Sequence, residues 1–120
     1  MNNKTQMLKG ILEGCVLQIL EREACYSGML VEKLRACGFR DISEGTLFPL
    51  LLRLEGRELF EIERVKNPLG PSRKYYKLNA YGKEELENFR AEWEEMKKIT
   101  DTVLRGVDLN ERKKEPEETS

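Results

Sequence analysis

The chain has 120 residues, 39% hydrophobic and 36% charged, with 21 basic residues against 22 acidic ones and a formal charge of -1. That balance fits one small helix-rich domain and excludes the weakly hydrophobic, highly charged class of disordered chains. Histidine is absent, which removes the commonest general base and metal ligand, so neither enzyme chemistry nor a metal or cofactor is expected.

Cys15, Cys25 and Cys37 form no C-x-x-C pair and read as reduced thiols. No apolar run approaches the roughly 20 residues of a membrane span, and no secretory leader follows Met1, so the expected location is the cytoplasm.

In chain order, Met7, Leu8, Ile11, Leu12, Cys15, Val16, Ile19 and Leu20 recur at i, i+3, i+4, i+7 spacing. This predicts an amphipathic helix from Thr5 to Glu23. Leu30, Val31 and Leu34 mark a second, shorter helix that Gly38 terminates. Ser43 is the N-cap of a third, with Glu44 in its first turn and Leu47, Leu50, Leu51 and Leu54 as its apolar face. Pro49 forfeits one backbone bond early in that helix.

The period then changes to two. Phe60 and Ile62 alternate with charge across Leu59–Val65, the pattern of a half-buried strand. Asn67–Ser72 is a turn by composition, and Arg73–Leu78 is the returning strand. Alternation turns Tyr76 and Leu78 inward and Arg73, Tyr75 and Lys77 outward.

Asn79 caps a last helix predicted over Ala80–Val107, roughly 40 Å long at ~1.5 Å per residue. Its Leu86, Phe89, Trp93, Met96 and Val103 fall at 3–4 spacing, the seam of a helix that pairs with a second copy of itself. Asp108–Ser120 is polar and charged, and reads as a tail without structure.

The expected fold is mainly α (α+β). It is a winged helix-turn-helix over 1–78, followed by a long dimerisation helix over 79–107 and the tail over 108–120. In such a domain the third helix enters the major groove of double-stranded DNA and the hairpin lies along the backbone. The hairpin carries Arg64, Lys66, Arg73, Lys74 and Lys77, while the acidic excess lies on the last helix and tail. Phosphate attraction acts over about a Debye length, so an isoelectric point near 5.7 is a weak objection. The expected DNA contacts are Ser43, Glu44, Thr46, Phe48 and Arg53 from the third helix, and Arg73, Lys74 and Tyr75 from the wing. The alternative is a winged-helix module for protein contacts that does not bind DNA.

Two stretches carry a family resemblance. Ser43-Glu44-Gly45-Thr46-Leu47-Phe48-Pro49, continuing to Arg53-Leu54-Glu55, resembles the third helix of the PadR-like transcriptional regulators, which typically reads Ser-Glu-Gly-Thr-Leu-Tyr-Pro. Gly70-Pro71-Ser72-Arg73-Lys74-Tyr75-Tyr76, with Gly82 following, is similar to that family's wing. Three departures stand out. Phe48 replaces a tyrosine, Glu58 stands where a glycine is usual, and Tyr26-Ser27-Gly28 replaces Tyr-Gly-Tyr.

The resemblance implies a sequence-specific, ligand-responsive repressor acting as a homodimer on a pseudo-palindromic operator. It also implies that Trp93 stacks on a small planar aromatic effector, with Phe89, Met96, Leu12 and Val16 as the remaining lining.

Overall fold

The structure, a computed structural model, describes residues 3–106, with side chains from residue 7 onward. The expected tail and Val107 lie outside the described residues. The elements are α1 (Asn3–Arg22), α2 (Ser27–Cys37), α3 (Glu44–Gly56), β1 (Phe60–Val65), β2 (Arg73–Leu78) and α4 (Ala80–Leu104). The strands pair antiparallel, in register from Phe60↔Leu78 to Val65↔Arg73. Three helices, a hairpin and a long last helix make the mainly helical winged-helix fold that the sequence predicts.

Local chemistry sets the element ends. Gly38 takes φ +126, and the amides of Gly38 and Phe39 donate to the carbonyls of Arg35 and Leu34 at 3.0 Å each. This is the paired closure that glycine permits at a helix C-terminus. Arg35 Nε then donates to the Ile42 carbonyl at 2.9 Å, holding the short link to α3. At the start of α3, Ser43 accepts from the Thr46 amide at 3.4 Å. Asn79 caps α4 by accepting from the Gly82 amide at 2.8 Å, while its Nδ2 donates to the Glu58 carbonyl at 2.9 Å. One side chain thus ties the start of α4 to the approach to the hairpin. Glycine is required at 82: a Cβ there would collide with the Leu59 carbonyl oxygen.

The core is built from Leu12, Val16, Leu17 and Leu20 of α1, Leu30, Val31 and Leu34 of α2, and Leu47, Leu50, Leu51 and Leu54 of α3. Leu59, Tyr76, Leu78 and Leu86 close it. Each such leucine contributes roughly 1.5–3 kcal/mol by leaving water.

Two expectations are corrected. Ile62 is exposed, and β1 is solvated beyond Phe60. Cys25 exchanges backbone hydrogen bonds with Tyr76 at 3.0 and 2.9 Å, so β2 is the inner strand and β1 an outer edge with little cover. Leu86, expected on the dimer seam, is 1% exposed within the core of its own chain. Accordingly one compact unit runs to Asn88 and takes in the first turns of α4.

The second unit begins at Phe89. In its helical part Phe89 is half-buried, and Trp93, Met96, Ile99 and Val103 are exposed at helical spacing. Lys97 pairs with Glu94 one turn away at 3.5 Å. Among the described residues no helix is long and apolar enough to cross a membrane.

Candidate nucleic-acid interface

The apolar positions of α3 face inward, which leaves Ser43, Glu44, Thr46 and Phe48 on the solvent side of its first turns. Phe48 is 56% exposed, a large apolar group with more than half its surface in water. Backbone amides at a helix N-terminus and the dipole behind them favour anions, and here a carboxylate, Glu44, stands in that first turn. Glu44 is held there: Ser27 Oγ, on the first residue of α2, donates to Glu44 Oε1 at 2.8 Å.

The wing cations divide into two sets. Arg64, Lys66, Arg73 and Lys77 are exposed. The guanidinium of Arg73 lies 4.4 Å from the centroid of the Tyr26 ring, and Tyr75 meets the same ring edge-on at 5.4 Å. Lys74 turns the other way. Its ammonium donates to Glu55 Oε1 at 2.9 Å and lies 5.5 Å from the Tyr76 ring. The hydrogen bond to Glu55 raises the Lys74 pKa, outweighing the opposing effect of burial.

Arg53 is likewise engaged, pairing with Glu13 of α1 and not with its helical neighbours Glu55 or Glu58. Arg53 and Lys74 therefore already hold acidic partners. Tyr26, whose ring meets Arg73, is not singled out by the sequence. Its only signal was its place in the Tyr26-Ser27-Gly28 departure, because stacking across 47 positions of chain has no local periodicity.

Of the three thiols, Cys25 is buried, Cys15 half-buried and Cys37 exposed. Burial pushes the Cys15 thiol up, with Cys37 adding to it. Burial also raises Cys25, Glu23 adding and Lys33 opposing. Both are therefore poorer thiolates than a free cysteine.

The model of the transcriptional regulator PadR-like family matches residues 16–88. The chain belongs to that family. Among solved structures, a PadR-like transcriptional regulator of Bacillus cereus is 42% identical, with a TM-score of 0.74 over 85% of this chain and 99% of that one. A Streptococcus transcriptional regulator is 37% identical, with a TM-score of 0.72 over 82% and 96%. A PadR family regulator of Eggerthella lenta is 29% identical, with a TM-score of 0.77 over 86% and 89%. The chain is thus a winged-helix, DNA-binding transcriptional regulator, and its family members are regulators and not enzymes.

Glu58, where glycine is usual, has φ +60, a left-handed conformation that costs a side-chain-bearing residue. Val16, expected to line an effector site, is fully buried in the core. Leu12 is 2% exposed and serves as floor to a groove of about 520 Å³ between α1 and α3, lined also by Leu8, Pro49 and Leu50. Both side chains belong to the core of the first unit. Trp93, Phe89 and Met96 belong to the second unit.

Proposed function

We propose that this PadR-like regulator is a cytoplasmic homodimeric repressor. It reads a pseudo-palindromic operator with the first turns of α3 and grips the flanking phosphates with the wing. The observation that carries this reading is the pairing of an uncovered α3 N-terminus, bearing Glu44, Thr46 and Phe48, with four exposed wing cations. Ser43 and Tyr75 flank these groups, and Arg53 and Lys74 reach phosphate only by leaving Glu13 and Glu55. Two recognition helices in a dimer would sit about one DNA turn, ~34 Å, apart.

Dimerisation is supported by the stripe of Trp93, Met96 and Val103, large apolar groups that a free helix would leave in water. Phe89 continues that stripe, whereas Leu86 contributes to the fold of its own protomer. A planar aromatic effector stacking on Trp93 would shift the dimer between spacings that fit and miss the half-sites, which takes only a few kcal/mol of differential affinity.

Light scattering and anisotropy titration on duplexes selected from genomic fragments test this. A dimer whose affinity falls steeply with salt is expected. A monomer indifferent to every duplex at low salt overturns it. The pairing of Arg53 and Lys74 with acids favours a second reading, a protein-contact module, and salt-independent or absent DNA binding would select that one.

A further inference from the structure

We propose that Tyr26 is the positioning residue for the principal phosphate contact of the wing: its ring is a fixed platform that holds the Arg73 guanidinium ready for DNA. The inference rests on the DNA-contacting role of the wing and extends it to a residue outside both recognition elements.

Three observations converge on the ring. The first is its seat. A Cβ at position 28 would come within 2.8 Å of Tyr26 Cε2, so Gly28 opens the space that the ring occupies. The second is its fixation. Tyr26 is the N-cap residue of α2, in extended conformation with φ -92 and ψ 171. Its carbonyl accepts from the Leu30 amide at 3.1 Å, and the preceding Cys25 is bonded through both backbone groups to Tyr76. Tyr75 then packs edge-on against the ring at 70°. The third is what the ring holds. Arg73 opens β2 at the mouth of the wing turn, where a long side chain would otherwise sample many rotamers, and its guanidinium lies over the ring at 4.4 Å.

The chemistry of the partner decides why this matters. Arg53 and Lys74 are held by carboxylates, which cancel much of their charge toward DNA. Arg73 makes no ion pair among the described residues. A ring face holds a guanidinium through its π surface and leaves the in-plane N–H fork open. That fork matches phosphate oxygens. Tyr26 thus restricts Arg73 without neutralising it. Arg73 is the wing cation that reaches DNA with both its charge and its geometry prepared.

The test uses the full chain and a duplex selected by the wild-type protein from a random-sequence pool, with anisotropy titrations at several salt concentrations. Tyr26→Phe keeps the platform and should bind like wild type. Tyr26→Leu removes it and should weaken binding about two- to fivefold, the range expected for a cation–π contact. It should also reduce the salt dependence toward that of Arg73→Ala. Arg73→Lys keeps the charge at an exposed position but loses the planar fork. It should weaken wild type and have little further effect in the Tyr26→Leu background.

Wild-type binding by Tyr26→Leu or by Arg73→Lys, strictly multiplicative losses in the double variant, or a Tyr26→Phe as weak as Tyr26→Leu each overturns the platform alone. A wild-type protein that binds no duplex removes the DNA reading, and the platform with it. Should Tyr26→Leu fail to fold by circular dichroism, Tyr26→Gln takes its place, with the same expected loss and the same refuting outcomes.

Discussion

Glu58 offers the sharpest check on the backbone. It follows α3 with φ +60, its amide donates to the Glu55 carbonyl at 2.8 Å, and its own carbonyl accepts from Asn79 Nδ2 at 2.9 Å. Those bonds hold the conformation whatever side chain is present. A Cβ in the left-handed region costs about 1–2 kcal/mol, which glycine avoids. Glycine also has more freedom in the unfolded chain, which takes back about 0.4–1 kcal/mol. Glu58→Gly should therefore stabilise by about 0.5–1 kcal/mol, raising Tm by about 2–4 °C for a domain of this size.

Glu58→Ala is the control, since it removes the carboxylate but keeps the backbone cost. Thermal and urea unfolding by circular dichroism, at one protein concentration, should rank Gly above both Ala and wild type. The concentration must be fixed because association shifts apparent stability. If the glycine variant melts with or below the alanine variant, the left-handed backbone is not the source of the cost and the reasoning fails.

Gly82→Ala should destabilise by about 3 kcal/mol or more, because the new methyl meets the Leu59 backbone carbonyl and not a yielding side chain; a change below about 1 kcal/mol in urea unfolding would contradict that approach. Leu86→Ala should cost about 2–5 kcal/mol as a core truncation, equally at high and low protein concentration, whereas Trp93→Ala should act chiefly on association measured by sedimentation. On selected duplexes, Arg73→Ala should lower affinity on operator and random DNA alike and flatten the salt dependence; Lys74→Ala should do so less, and a larger effect from Lys74 would mean that its pairing with Glu55 gives way to phosphate. Cys15, Cys25, Tyr76 and Lys74 all have raised pKa values in the fold, the tyrosine chiefly through burial. The native state therefore keeps its protons longer than the unfolded chain, and the stability these groups confer is complete below about pH 8.5, then declines as pH rises past the ordinary thiol, tyrosine and lysine values. Melting temperatures rising between about pH 8.5 and 10.5 would show the sign to be wrong.

Much of the fold is legible in the sequence because its causes are local. Period 3.6 at Leu47, Leu50, Leu51 and Leu54, period 2 at Tyr76 and Leu78, and the caps Gly38, Ser43 and Asn79 each act within a few residues. The element order, the third-helix motif and the wing motif therefore lead to the family without any knowledge of packing. What only the tertiary structure decides is how side chains distant in sequence are shared out. The apolar pattern of α4 is continuous from Leu86 to Val103, yet Leu86 is drawn into the core while Trp93 stays exposed, because Gly82 lets the first turns of α4 approach Leu59. Arg53, Lys74 and Arg73 look alike as exposed cations in a list of residues. Folding gives the first two to Glu13 and Glu55 and the third to the face of Tyr26. Charge is a property of the residue, but whether it remains available to DNA is set by what the fold places within a few ångströms of it.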